Sequence, residues 1–511
     1  MSPLVELTRE LLESADWSDE DIARHQIPII DTPFVSIGGG MGSLAMIDTL
    51  RIAGQPIEAL TVLSELAVPS ETYEYLATNS QIPRYERLRS DSGSTIDCIW
   101  GWPGYAMREA VAKKSLAPAY TVLTEPILSN YYTPQAGQVY ESVEREAARI
   151  GWERMLRPGV VRTVRRRRQG GYFVIHTPTD QRGAAPNGPK LRVAYRCHHV
   201  HLAIGYPGIR VLPDLQKYRV EHNDFARVVN AYEPHLHVYE EMLRRPCTVL
   251  VRGAGIVGSR VLQRIIDDRD KNGAQTQIIH LFRTYADGTA GTKATFRRPT
   301  RKGWAYQGFN FAKSAWGGQY RDTIVKLEGD ERAKFVDALG GTNTAVRDDW
   351  QEQLERGEKQ GFYRQLVGTV KNVEPAGPGK GVRTVIVDGS GRESFIDSDF
   401  VIDATGLEAG IEEHRVLSDL LAYGGARKNP KGRLDVDRDF TVRGAQSGTG
   451  RLYASGTSTL GGYYAGVDSF LGLQYAALRI ADSLAEHGFG KKIGPLRSTS
   501  QWWKWARNKP I

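Results

Sequence analysis

Phe34-Val-Ser-Ile-Gly-Gly-Gly-Met-Gly-Ser43 is the stretch on which the fold turns. An apolar run, Phe34 to Ile37, ends in clustered glycines, and a helical pattern follows at Leu44, Ile47, Leu50 and Ile52. A second apolar run, Leu60-Thr-Val-Leu63, stops at Ser64-Glu65. The order is strand, glycine turn, helix, strand, acid. Gly38 and Gly40 take the first two places of G-x-G-x-x-G/A, Ser43 takes the third, and Gly42 belongs to the same turn. The first glycine allows the tight turn, and the second lets a pyrophosphate approach the backbone. The helix start offers free N–H groups and a favourable dipole. Glu65 is placed to accept from a ribose hydroxyl, a few residues beyond the usual spacing of roughly 20.

A complete version of the motif stands in Cys247-Thr-Val-Leu-Val-Arg-Gly-Ala-Gly-Ile-Val-Gly258, with Gly253, Gly255 and Gly258. It follows an apolar strand and opens a helix from Ser259 to Asp268. The next strand, Thr276 to Phe282, ends in Arg283-Thr284. An arginine where the ribose acid is expected favours a 2′-phosphate, hence NADPH over NADH. Two strand–turn–strand units each close on a glycine, at Ala203-Ile-Gly205 and at Ala404-Thr405-Gly406. That is a weak internal duplication. A last strand from Arg451 ends at Ser455-Gly456, before a small-residue loop and a helix from about Ser469 to Glu486. Small residues there allow close approach to a planar ligand, and the helix aims its N-terminus at it.

The remaining segments read more plainly. Residues 2–30 predict two short helices, with Ser18 as an N-cap. Glu71 to Pro83 predicts a helix running into a loop, and the position of Asn79 suits a helix C-cap. Residues 136–150 predict an amphipathic helix. Arg165-Arg-Arg-Arg168 reads as the solvated tip of a hairpin rather than a polyanion site. His198, His199 and His201 crowd one strand, but no carboxylate or cysteine arrangement beyond Cys197 completes a metal site, and none is assigned. Residues 208–246 read as an irregular connector. Residues 285–365 form a basic, aromatic insert that suits a lid or pocket wall over an anionic or aromatic ligand. The tail Gln501-Trp-Trp-Lys-Trp505 reads as a plug on the body.

The chain has 511 residues, enough for two or three domains. Its net charge of +8 is small for this length and has no lysine-rich tail. That suits anionic cofactors and argues against nucleic acid. The three cysteines, Cys98, Cys197 and Cys247, lie far apart, and no C-x-x-C occurs. A redox dithiol is therefore not signalled, and a reducing cytoplasm fits. No apolar run approaches the roughly 18 residues of a membrane span.

This ordered set of motifs resembles the two-dinucleotide-domain flavoproteins, in particular the flavin-containing and N-hydroxylating monooxygenase superfamily. The resemblance implies an α/β fold with two Rossmann-like domains of the three-layer β/β/α type. It implies an arm at 1–30, an FAD domain at 31–240 and 390–490, an NADPH domain inserted at 241–389, and a tail at 491–511. FAD would lie on Gly38, Gly40, Gly42, Ser43, Glu65, Ala203, Gly205 and Gly456. NADPH would lie on Gly253, Gly255, Gly258, Arg283, Thr405 and Gly406. Leu76 to Asn79 matches the family's Leu-x-x-Asn segment, which places Asn79 near the flavin and makes it the one candidate catalytic side chain. The implied activity is transfer of one oxygen from O₂, through a C4a-(hydro)peroxyflavin, to a small molecule. Two departures leave other readings open. No Gly-x-Trp follows Glu65, and no F-x-G-x-x-x-H precedes Cys247. An NADPH:acceptor reductase, or a nucleotide-binding sensor without turnover, would keep the same scaffold. Substrate identity and homo-oligomerisation are open at this level.

Overall fold

The computed structural model describes residues 7–89, 96–100, 103–124, 130, 132–179, 191–283, 319–339, 348–377, 379–408 and 410–511. Two sheets carry the chain. In the first, Phe34–Ile37 lies between two parallel neighbours, Leu60–Ser64 and His199–Leu202. Arg451–Ala454 pairs outside His199–Leu202, so a strand from the far end of the chain completes the sheet. All four of these strands are nearly or wholly buried. That is what parallel strands covered on both faces require. Helices Met41–Ala53 and Phe470–Glu486 pack together over one face. Beyond Leu60–Ser64 the sheet continues into the long strand Leu156–Arg167. That strand then forms an antiparallel run with Tyr172–Pro178 and Val193–Cys197.

The second sheet is parallel, in the order Val228–Asn230, Phe400–Asp403, Cys247–Arg252, Thr276–Phe282, Tyr363–Val367. Its side chains alternate between two cores with the period of a strand. Val229, Val249, Val251 and Ile402 face helix Ile256–Asn272. Val228, Leu250, Leu281 and Val401 face a three-stranded antiparallel meander, Thr369–Pro375, Val382–Val387 and Glu393–Ser398. Helix layer, parallel sheet and meander make the three-layer β/β/α arrangement.

This sheet passes the expected limits of 241 and 389 on both sides. Val228–Asn230 and Phe400–Asp403 are strands of it, paired with each other. The stretch 208–246 is not an irregular connector either. It folds as helix Pro213–His222, strand Val228–Asn230 and helix Leu236–Arg244. A three-residue buried strand leaves too few side chains to show a period, which is why the pattern was silent there.

Of the four arginines at the hairpin end only Arg168, in the turn, is exposed, so the run is not a solvated tip as a whole. Arg165 is fully buried and pairs with Asp419. Arg166, Arg167 and Arg168 reach Asp16, Asp19 and Asp21 of the N-terminal arm at 2.8, 2.5 and 3.7 Å. The arm itself carries helices Arg9–Glu13 and Asp19–Arg24, the latter closed by a Ser18–Asp21 capping box. At the other terminus, helix Pro495–Ala506 docks through Trp505, whose Nε1–H donates to Asp97 Oδ2 at 3.3 Å.

Helix Met41–Ala53 carries a buried acid. Asp48 of Met41–Ala53 sits beside Glu146 and Arg149 of helix Ala136–Ile150. Arg149 makes a two-pronged pair with Glu146, at 2.8 and 2.5 Å, and stands 3.7 Å from Asp48. Burial, then the Glu146 charge, hold the Asp48 carboxyl well above the usual carboxylate range. A raised acid favours the folded state below its unfolded pKa, and that contribution is lost as pH climbs towards the folded pKa. Stability should therefore fall more steeply with pH in the wild type than in Asp48→Asn. Urea unfolding of both proteins at about pH 5 and about pH 8 checks this, and equal slopes would refute it.

Candidate functional site

The first glycine turn closes on the end of a neighbouring strand. Gly38 N–H donates to Leu63 O at 3.0 Å, and Gly38 has φ +99°. A Cβ on it would stand 2.5 Å from Ala203 O. Ala203 N–H donates in turn to Ile37 O at 2.9 Å, and Ser455 N–H to Leu202 O at 3.0 Å. Gly40 is the N-cap of Met41–Ala53 and makes no side-chain cap. The helix-start donors are thus left to an external partner. A Cβ on Gly40 would meet nothing nearer than Pro69 O at 4.0 Å, and one on Gly205 would meet nothing within 4 Å. Gly42 is different: its face packs on Ala203 Cβ, 3.3 Å from where a Cβ would be. Glu65 is exposed, one residue past the strand end.

The second turn repeats this bond for bond. Gly253 N–H donates to Leu281 O at 3.1 Å, with φ +115°, and a Cβ there would stand 2.5 Å from Ala404 O. Ala404 N–H donates to Arg252 O at 2.8 Å, and Ala231 N–H to Asp403 O at 2.9 Å. Gly255 is an N-cap with no side-chain cap and nothing within 4 Å of a Cβ. Because Leu63 and Leu281 are equivalent acceptors, Glu65 and Arg283 occupy one and the same position, two residues on. Arg283 is exposed there. Thr405 N–H and Oγ1–H both bond Asp403 Oδ1, at 3.0 and 2.6 Å, and Gly406 follows at φ +123°. The duplication read weakly from Ala203-Ile-Gly205 and Ala404-Thr405-Gly406 is therefore a duplication of backbone hydrogen bonds.

Asn79 ends helix Glu71–Asn79, and the cap falls to Ser80. Its Nδ2–H donates to Tyr232 O at 3.0 Å, across to the second domain. The loop that follows lies on helix Ile256–Asn272. Arg260 Nε–H donates to Gln81 O at 2.6 Å, and its guanidinium pairs with Glu86 at 3.2 Å. Asn79 thus ties the end of helix Glu71–Asn79 to the chain just past strand Val228–Asn230.

One contact had no sequence reading. Tyr206, next to Gly205, donates its hydroxyl to Asp468 at 3.2 Å, just before Ser469, the N-cap of Phe470–Glu486. Burial raises both groups above their usual range. The histidines also diverge: His198 meets Thr449 at 3.1 Å, His199 Nδ1 accepts from Arg451 N–H, and His201 lies between Ser36 and Ser455. Among the described residues no group of side chains is arranged to hold a metal. The aromatic-basic stretch 285–318, with Thr284 and the centre of Trp100 to Gly104, lies outside the described residues.

Two glycine turns on two sheets, each closed by an Ala-x-Gly strand end, define a fold of two Rossmann-like domains. The same fold is found in the reduced form of the ornithine hydroxylase PvdA of Pseudomonas aeruginosa. It shares 17% identity over 90% of this chain and 100% of that one, with a TM-score of 0.61. The ornithine N-hydroxylase KtzI of Kutzneria sp. 744, with reduced FAD, NADP+ and L-ornithine, aligns at 13% identity and a TM-score of 0.62, over 90% and 100% of the two chains. L-lysine 6-monooxygenase of Pseudomonas syringae aligns at 16% and 0.59, over 89% and 99%. No family model and no curated protein matches the sequence. Among the described residues no helix is long and apolar enough to cross a membrane.

Proposed function

We propose that this chain is an FAD-dependent, NADPH-oxidising enzyme that transfers one oxygen atom of O₂ to a small molecule. The observation that carries the reading is the opposite charge at one equivalent position of the two turns, Glu65 in one and Arg283 in the other. A carboxylate there accepts from ribose hydroxyls, and a guanidinium pairs with a 2′-phosphate. Both turns also have the unfilled helix cap and the open space over the second glycine that a pyrophosphate needs.

In this reading Gly38, Gly40, Gly42 and Ser43, in the first turn of helix Met41–Ala53, hold the FAD pyrophosphate, and Glu65 its adenosine ribose. Ala203, Gly205 and Gly456 line the rest of the path. Gly253, Gly255 and Gly258 hold the NADPH pyrophosphate, Arg283 the 2′-phosphate, and Thr405 and Gly406 the adjoining strand end. Asn79 ties helix Glu71–Asn79 to the second domain through Tyr232 and is the one side chain assigned to catalysis. The bound flavin would supply hydride acceptance and oxygen activation, and the protein supplies binding, orientation and exclusion of water. Oxygen transfer is supported by the hydroxylases and the monooxygenase that share the fold. The substrate class that suits this chemistry is a small molecule with a soft nucleophilic nitrogen or sulfur.

The test is an anaerobic visible spectrum before and after NADPH, followed by ¹⁸O₂ with L-ornithine, L-lysine, cadaverine and a panel of thioethers. Flavin bleached by NADPH, with ¹⁸O found in one product, is the expected result. Bleaching with hydrogen peroxide as the only oxygen product would replace oxygen transfer by electron transfer. A protein that binds no FAD would remove the reading altogether.

A further inference from the structure

The carbonyl of the first glycine in each turn has its own hydrogen-bond donor, and in both cases the chain of donors leads to a buried histidine. Gly38 O is 2.5 Å from Ser43 Oγ. A peptide oxygen only accepts, so Ser43 spends its one proton there. Ser36 Oγ lies 2.9 Å from Ser43 Oγ and must therefore donate to it. His201 Nδ1 lies 3.0 Å from Ser36 Oγ, whose proton is already committed, so Nδ1 carries the hydrogen. His201 is fully buried, and burial alone pushes it down to about 3. The ring is neutral, and its Nε2 accepts from Ser455 Oγ at 2.8 Å. Every proton in the series, Ser455 to His201 to Ser36 to Ser43 to Gly38, thus points one way. Its members come from Phe34–Ile37, Met41–Ala53, His199–Leu202 and the end of Arg451–Ala454, and none of them is charged.

In the second domain the arrangement is direct and reversed. His280 Nε2 is 2.9 Å from Gly253 O, so Nε2 carries the hydrogen. Its Nδ1 then accepts from Tyr363 OH at 2.9 Å. Burial pushes this histidine down to about 4. The contrast also accounts for Ser43. At the matching place Gly258 has no room for a side chain, since a Cβ would stand 2.5 Å from Gly253 O. At position 43 the side chain is present, and its hydroxyl is the donor.

We infer that two neutral histidines of opposite tautomer, His201 and His280, are positioning residues for the two glycine turns, His201 acting through Ser36 and Ser43 and His280 directly. This rests on the reading of the first turn as the FAD site, but its first test does not need the cofactor. In ¹⁵N spectra of histidine-labelled protein, His201 should appear as the Nδ1–H form and His280 as the Nε2–H form, unchanged between about pH 5 and pH 8. The reverse tautomer at His201, or titration in that interval, overturns the inference while leaving FAD binding untouched.

The second test separates positioning from packing. An asparagine amide reaches the place of Nδ1, and a glutamine amide the place of Nε2. His201→Asn keeps the donor towards Ser36, and His201→Gln keeps only the contact to Ser455. Gln fills more of the cavity, so it should be the more thermostable variant. FAD affinity should run the other way, with His201→Asn within about threefold of wild type and His201→Gln weaker by about tenfold or more. Ser43→Gly restores the usual third glycine and should also lose about tenfold, because it removes the last donor. FAD affinity that follows thermal stability across these variants, or a Ser43→Gly protein that binds FAD as well as wild type, overturns the inference.

Discussion

Gly38→Ala protein should purify without flavin. Gly38 holds φ +99°, a region that a residue with a Cβ occupies at a cost of roughly 1–3 kcal/mol. The added methyl would also lie 2.5 Å from Ala203 O. That carbonyl cannot step aside cheaply, because Ala203 N–H is held by Ile37 O at 2.9 Å within the sheet. The turn must move instead, and with it the helix start that faces the pyrophosphate. We expect FAD affinity to fall by about a hundredfold or more, with a loss of thermal stability. Gly40→Ala is the informative control. Gly40 has φ −84° and open space above it, so the fold should tolerate a methyl. The methyl would stand where the ligand approaches, so flavin should be lost at unchanged Tm. Flavin absorbance per protein and thermal unfolding of both variants decide the matter. A Gly38→Ala protein that keeps a full complement of FAD would mean that this turn is not the cofactor site.

Arg283→Glu should exchange NADPH for NADH. The position is exposed and equivalent to Glu65, so the change should alter the fold by less than about 0.5 kcal/mol. Loss of a charge-assisted bond to the 2′-phosphate is worth about 1.5–3 kcal/mol, or roughly 10- to 150-fold in kcat/KM for NADPH. The new carboxylate repels that phosphate and can accept from the unphosphorylated ribose. Initial rates of flavin reduction with both nucleotides would measure the switch. Unchanged discrimination would place the 2′-phosphate elsewhere.

What could be read from the residues follows from how far apart the interacting groups lie. The glycine turns, the adjoining helices and the strand-end acid or cation are local, and their spacing alone places them. The N-cap at Ser18 and the helix from Ser469 were legible for the same reason. The arginine run was misread because its partners are remote. Asp16, Asp19 and Asp21 lie about 150 residues upstream, and Asp419 lies about 250 downstream. Taken alone, four adjacent cations look solvated, and only the tertiary fold supplies the acids. His201 was hidden in another way. Its cluster drew attention to metal ligands, whereas its partners are the hydroxyls of Ser36, on the neighbouring strand, and Ser455, just past the end of Arg451–Ala454. No pattern within one segment encodes such a set. Strand Val228–Asn230 was missed because three wholly buried residues carry no alternation.

The place of Arg451–Ala454 in the first sheet has a consequence for how the chain is made. Ribosomes deliver the N-terminus first, yet His199–Leu202 waits for a neighbour some 250 residues further along the message. The five parallel strands from Val228 to Asp403 are contiguous, so the inserted domain can finish folding while the outer one still lacks an edge. Ser455, which starts the run of hydroxyls to Gly38, arrives in the same late segment. The nascent polypeptide therefore carries a complete inner domain before the outer sheet is finished, and under the proposed function capture of FAD would belong to the last stage of biosynthesis.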